Sequence, residues 1–359
     1  MKSIVDYDGL ETGIGLILSH GKTWRESRKT VGFCLHDFKT MEHLIQDQVD
    51  LTIEAIETKF SKTGSSISSD DLLFAEPLVA CIWSVITKSP MDLDQNKKLS
   101  KDIYDFAQEF VSPLAQAVQH NRGLFYLTEN LGLSHLLELH QQIKRQIKQY
   151  LSDSKNKAEE SLMKGFMNEN NSSLNEQNFS DLLLVGSYSL WVHLQWGLIC
   201  LIKNPKWQSI LRKESGQEYM PLTEAFVSEV LRTFVVRSKG LSYPMLTTDD
   251  IKIRNYFLPK GTVILHMLSE VMQDPQSFPD PQKFDPDRFV SNKNHPRLIP
   301  FGVGKRKCIA ENVARMILKS FLSNLVERYE ISSNEDIKLG FNDAAIAKPN
   351  TFNVFFKQY

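Results

Sequence analysis

The stretch "LLLVGSYSLWVHLQWGLICLI", residues 182 to 202, runs for 21 residues without an Asp, Glu, Lys or Arg. A helix of that kind has no charged face to give to water, so the rest of the chain must wrap it or a bilayer must take it. Two serines, a histidine, a glutamine and two glycines are spread over several of its sides. In lipid each polar group would need an internal partner, whereas a protein core supplies neighbours. The stretch is therefore read as the central helix of a large soluble core. A chain of 359 residues, 42 % hydrophobic and 24 % charged, is long enough to enclose it in one domain.

Other segments supply the walls. "MEHLIQDQVDLTIEAIETKF" places Leu44, Ile45, Val49, Ile53 and Ile56 at helical spacing, and "LLELHQQIKRQIKQYL" does so with Leu136, Leu139, Ile143, Ile147 and Tyr150. In the second, Lys144, Arg145 and Lys148 read as a solvated face. "NENNSSLNEQN", residues 168 to 178, reads as a polar linker inside one domain. From residue 240 the pattern shortens. "LTTDDIKIRNYFLPKGTVILHML" reads as short strands broken at Pro259, Lys260 and Gly261. A loop rich in Pro and Asp follows, then a final helix with Val313, Met316, Ile317, Phe321 and Leu325 on one stripe, then strands near 330 to 357.

Net charge is −1, which gives no reason to expect nucleic acid as a partner. The N-terminal "MKSIVDYDGLETGIGLILSHG" has no apolar run of signal-peptide length. Four unclustered cysteines form neither a disulfide framework nor a zinc pattern. Cys34, Cys81 and Cys200 stand singly among hydrophobes and read as small core residues. Cys308 differs. It lies in "FGVGKRKCIA", between a glycine-bearing turn and the last helix, with Arg306, Lys305 and Lys307 beside it. Helix-start N–H groups and basic side chains favour an anion, so the thiol is expected to ionise readily. A thiolate there is a nucleophile or a metal ligand. The nucleophile reading wants a histidine base, and the nearest, His295, has no recognisable triad partner; haem iron satisfies the ligand reading.

"FGVGKRKCIA" resembles the haem-binding loop of the cytochrome P-450 family, Phe-x-x-Gly-x-Arg-x-Cys-x-Gly, at Phe301, Gly304, Arg306 and Cys308, with Ala310 in place of the last glycine. Further marks occur in the family's order: "WRESR" with Trp24 and Arg28, "EVLR" with Glu229 and Arg232 on one helix face, the "YFLPKGT" strand turn, and "PDRF" with Arg288. The match runs from near residue 15 to the C-terminus and is similar to animal microsomal members. The resemblance implies a mainly α fold with small β-sheets over residues 1–359, lacking the family's N-terminal anchor, first helix and first strands.

It further implies haem b with Cys308 as axial ligand to the iron, a ligand whose electron donation favours O–O cleavage. Arg306, Arg28 and Trp24 would meet the haem propionates, Phe301 would shield the thiolate, and Glu229, Arg232 and Arg288 would form a buried charged cluster. The central-helix signature falls on Val185, Gly186, Ser187, Tyr188 and Ser189. Gly186 would leave the opening beside the iron and Ser189 would keep a catalytic hydroxyl. Tyr188 stands where the family has an acid, and a phenol is a poor proton relay at neutral pH. Met245 stands at a strand position that commonly carries a propionate-binding Arg.

The implied activity is a monooxygenase acting on a lipophilic small molecule, with electrons from NADPH through NADPH-cytochrome P-450 reductase and with cytochrome b5 as a second donor. Lys305, Lys307, Arg25 and Lys29 would face that partner, at the cytosolic face of the endoplasmic reticulum membrane. Two other readings stand beside it: a haem-thiolate isomerase or dehydratase of oxidised lipids, and a shortened haem-binding product with little turnover.

Overall fold

The computed structural model describes residues 16–17, 19, 21–35, 37–63, 66–110, 134–155, 172–234, 245–292, 295–338 and 348–359. Its centre is a continuous helical rod: α6 (Ser172–Asp181), a π-turn (Leu182–Gly186) and α7 (Ser187–Lys203). Around it stand α1 (Gly21–Cys34), α2 (Phe38–Thr63), α3 (Glu76–Thr87), α4 (Leu93–Phe110) and α5 (Ser134–Lys155) on the N-terminal side. On the C-terminal side are α8 (Pro205–Glu214), α9 (Pro221–Thr233), the short α10 (Leu268–Met272) and α11 (Asp287–Val290), and α12 (Glu311–Arg328).

The charge-free stretch is core, as its polarity pattern suggested. Trp191, Val192, Leu194, Trp196, Leu198, Ile199 and Leu201 are all buried. Each such side chain contributes roughly 1.5–3 kcal/mol of hydrophobic stabilisation. By length and composition the rod Leu174–Lys203 could cross a membrane, but 72% of its apolar window is covered by neighbouring helices. Gly197 sits at one of these crossings, against α12. A Cβ there would come within 2.9 Å of Leu322 Cδ2 on α12, so only glycine lets the two helices lie at this separation.

Residues 172 to 178 depart from the linker reading: they form the start of α6. Asn175, Asn178 and Phe179 are buried, and α6 packs against α5. Asn and Ser lower the helix signal because they compete for backbone hydrogen bonds, and tertiary packing overrides that preference here.

The sheets are small and antiparallel. β1 (Ile67–Ser68), β7 (Asn353–Gln358) and β6 (Tyr329–Ser332) form one, in the order β1-β7-β6, with Ile67 opposite Val354 and Ile331 opposite Phe356. β2 (Met245–Leu246) pairs β5 (Val263–Ile264), and β3 (Ile251–Ile253) pairs β4 (Tyr256–Leu258). Gly261, at φ +82°, makes the break expected between β4 and β5.

Candidate active site

Loop geometry fixes the cysteine. Gly302 and Gly304 adopt φ +77° and +74°, which a side chain would oppose. Their turns let Gly302 N–H reach Ile299 C=O (3.0 Å), Lys307 N–H reach Gly304 C=O (3.1 Å) and Cys308 N–H reach Phe301 C=O (2.9 Å). Cys308 is thereby held two residues ahead of Ala310, the N-cap of α12. Cys34, Cys81 and Cys200 are buried, whereas Cys308 is exposed and free.

The thiol does not titrate as the sequence suggested. Its pKa is raised, because desolvation by the surrounding chain outweighs the Ala310 amide, Arg28 and Lys307, and Glu311 adds its own repulsion. Charge and helix-start amides are present as expected, but desolvation by nearby protein atoms outweighs them even though the residue stays open to solvent on one side. A coordinating metal reverses this, since it deprotonates a thiol outright.

Next to the loop, Trp24 lies between two guanidiniums. The Arg306 carbon is 4.3 Å and the Arg28 carbon 5.7 Å from its ring centroid. Arg306 donates to Ser19 C=O at 2.6 Å. Among the described residues neither arginine has a carboxylate ion-pair partner, and burial together with Arg28 holds the Arg306 pKa below its usual range. Two like charges kept together without a counter-ion suit an anionic ligand. Phe301 packs its ring under Arg315 of α12, 5.4 Å from the guanidinium carbon.

On the central helix, Ser189 Oγ donates to Gly186 C=O at 3.1 Å. The room that Gly186 leaves is taken by Ile82 of α3, whose Cδ1 would lie 2.8 Å from an added Cβ. The glycine therefore serves helix packing in this structure. Tyr188 is buried against Trp191, ring centroids 5.6 Å apart, and Trp191 in turn meets Tyr104 of α4 at 4.8 Å. Among the described residues the Tyr188 hydroxyl has no hydrogen-bond partner, and burial, with Asp70 adding to it, pushes its pKa up. Met245 sits on β2 opposite Ile264.

One turn beyond Ser189, the buried His193 places Nδ1 2.9 Å from the Ser189 carbonyl oxygen. Burial lowers its pKa to about 4, against the opposing backbone contacts at Ser189 and Phe234. The unfolded chain therefore takes up this proton between about pH 6.5 and 4 while the folded chain does not, so stability falls as pH falls through that window. Relative to His193→Gln, the parent should lose about 2–3 kcal/mol between pH 7.5 and 4.5, read from urea midpoints. Parallel pH profiles for the two proteins would refute it.

Sequence reasoning missed the Ala310 amide and the Ser19 carbonyl, because backbone partners leave no residue-type signal. The sequence model of the family described as Cytochrome P450 matches residues 2–354. The chain belongs to the cytochrome P450 family. Cytochrome P450 2C8 of Homo sapiens is 28% identical over 369 aligned positions, covering 94% of this chain and 75% of that protein. Cytochrome P450 2C5 of Oryctolagus cuniculus is 25% identical over 362, covering 92% and 74%. Cytochrome P450 2H1 of Gallus gallus is 26% identical over 364, covering 91% and 72%.

The family is haem-iron dependent, and the chain is a monooxygenase-type oxidoreductase with the mainly helical fold and small sheets expected of it. The residues present fit the group. A free, exposed thiol receives a backbone amide, and a pair of arginines without carboxylates flanks an indole beside it.

Proposed function

We propose that residues 1–359 act as a haem domain that inserts one atom of O2 into a lipophilic small molecule. Cys308 would supply the thiolate that holds the haem iron, and Arg306, Arg28 and Trp24 would hold the haem carboxylates. The observation that carries this reading is the exposed Cys308 thiol beside the Arg28–Trp24–Arg306 group, whose arginines have no carboxylate partner among the described residues. When bound, thiolate-ligated haem iron supplies the activation of O2.

The chain's own residues supply the rest. The Ala310 amide and the Phe301 loop orient the sulfur, and the two arginines neutralise the haem's carboxylates. The Ser189 hydroxyl offers a proton at Oγ on the central helix. Electrons come from NADPH through a flavoprotein reductase, NADPH-cytochrome P-450 reductase, with cytochrome b5 as a second donor. The exposed Arg25, Lys29, Lys305 and Lys307 form the positive surface for that acidic partner. The working site is the cytosolic face of the endoplasmic reticulum membrane.

Reconstitution with reductase and NADPH tests this reading, with NADPH, hydrogen peroxide and product measured together. Haem binding without NADPH-dependent oxidation of any lipophilic substrate screened would refute it. Tyr188 is buried, without a hydrogen-bond partner among the described residues, and held protonated, so Tyr188→Phe should leave product formed per NADPH unchanged and stability equal or slightly higher. Ser189→Ala should divert a larger share of the electrons to hydrogen peroxide. A fall in coupling on Tyr188→Phe would show that the phenol moves a proton after all.

A further inference from the structure

A short segment beside the cysteine loop is pinned at two points. Ile17 N–H donates to Asp181 Oδ2 at 3.1 Å, and Ser19 C=O accepts from Arg306 at 2.6 Å. Asp181 is the last residue of α6, immediately ahead of the π-turn that carries Gly186. Arg306 stands two residues before Cys308. Ile17 therefore meets the central helix and Ser19 the cysteine loop, and Ser19 is itself buried.

The carboxylate in this tie has unusual company. Its second oxygen accepts from Gln177 Nε2 at 2.9 Å, one turn earlier on α6. Its remaining partners are the Leu16 and Ile17 amides, and the titratable side chain nearest in effect is His140 on α5. Among the described residues no Lys or Arg forms an ion pair with it. A carboxylate held by neutral donors is costly to keep ionised, which points to a task beyond stability.

We propose that Asp181 is a positioning residue: its carboxylate clamps the Leu16 and Ile17 amides to the central helix, and Ser19, two residues on, holds the Arg306 guanidinium beside Trp24. The role of Arg306 in this chain of contacts rests on the haem reading above. An ionised carboxylate accepts N–H bonds more strongly than a neutral acid does. Burial pushes the Asp181 pKa up to about 6, against the lowering effects of Gln177, the two amides and His140. The clamp thus loosens as pH falls through about 6. The effect on global stability has the opposite sign. A folded-state pKa raised from 3.8 to about 6 makes Asp181's contribution fall as pH rises through that window. Local opening, not global unfolding, is therefore the informative readout.

Hydrogen exchange of the peptide covering residues 16 to 19, corrected for intrinsic rates and followed from pH 7.5 to 5, tests the clamp in the full chain with and without haem. In the parent, protection should drop about tenfold across that range, the worth of one charge-assisted hydrogen bond. Asp181→Asn should show the low value at every pH, and Asp181→Glu should restore the pH dependence. Haem affinity of Asp181→Asn at pH 7.5 should be about tenfold weaker, with little further loss on adding Arg306→Ala, because the two act through one contact. Asp181→Asn retaining the parent's pH dependence would overturn the proposal and make His140 the titrating group. If exchange follows Asp181 but Arg306→Ala binds haem like the parent, the clamp stands and the haem role of Arg306 falls. If Arg306→Ala weakens haem while exchange ignores Asp181, the clamp falls and the haem reading stands.

Discussion

Cys308→Ser should abolish the red-shifted Soret band of the reduced, CO-bound protein, while Cys34→Ser, Cys81→Ser and Cys200→Ser should each keep it. The three controls are buried thiols whose pKa values burial pushes up, that of Cys34 to about 11, and none can reach a ligand without unfolding its surroundings. Cys308 alone is exposed, with an amide aimed at its sulfur and two arginines close by. Serine keeps the shape of the loop, because the Cys308 N–H bond to Phe301 C=O involves only backbone. Loss of the band in this variant is therefore loss of a sulfur–iron bond and not loss of the fold. Far-ultraviolet circular dichroism of the same sample checks that separation. A thiolate spectrum surviving in Cys308→Ser would remove the basis of the haem assignment.

Local features of this chain were legible, and features that depend on distant segments were not. The cysteine loop could be read because two glycines, an arginine and a cysteine at fixed offsets encode one turn, and the turn forms as expected. Glu229 and Arg232 could be paired because helical spacing alone brings them together. The start of α6 could not, since buried Asn175 and Asn178 look like loop residues until α5 covers them. The direction of the Cys308 shift was missed for a similar reason. Helix-start amides and basic neighbours show in the sequence, but the crowding that outweighs them comes from the whole fold. Gly186 was read as leaving an opening beside the iron, and the sequence held no sign that Ile82, from a helix about a hundred residues earlier, packs into that space. Asp181 had one visible signal, a lone acid at the mouth of a charge-free run, and no sign that its partner lies 164 residues away.

Glu229→Ala and Arg232→Ala should each destabilise the protein by about 3–5 kcal/mol and leave little haem-loaded material. Both side chains are fully buried, and the pair is bidentate: Arg232 Nε to Glu229 Oε2 at 2.7 Å and Nη2 to Oε1 at 2.9 Å. Arg232 also donates to the carbonyls of Met272 and Pro281, each at 2.8 Å, and Glu229 accepts from Asp285 N–H at 2.8 Å. Arg288 completes the group, 3.5 Å from Glu229 and bonded to the carbonyls of Pro279 and Asp280. The cluster thus joins α9 to the loop leading toward the cysteine. α9 is itself fixed by Glu214, which accepts the N–H groups of Leu222 and Thr223 at its start. Removing Arg232 takes the bidentate partner from Glu229, leaving it Arg288 at 3.5 Å, and strands two carbonyls; Lys cannot rescue it because an ammonium lacks the fork that reaches all three. Burial already raises the Glu229 pKa despite Arg232. Without Arg232, Glu229 keeps only the more distant Arg288, at 3.5 Å, and taking up a proton relieves most of its burial penalty. The loss in Arg232→Ala should therefore shrink as pH falls from 8 toward 5, whereas in Glu229→Ala, with a guanidinium that cannot discharge, it should not. Urea unfolding of both variants at several pH values decides the matter. Equal losses at all pH values in Arg232→Ala would mean that Glu229 is not the stranded charge.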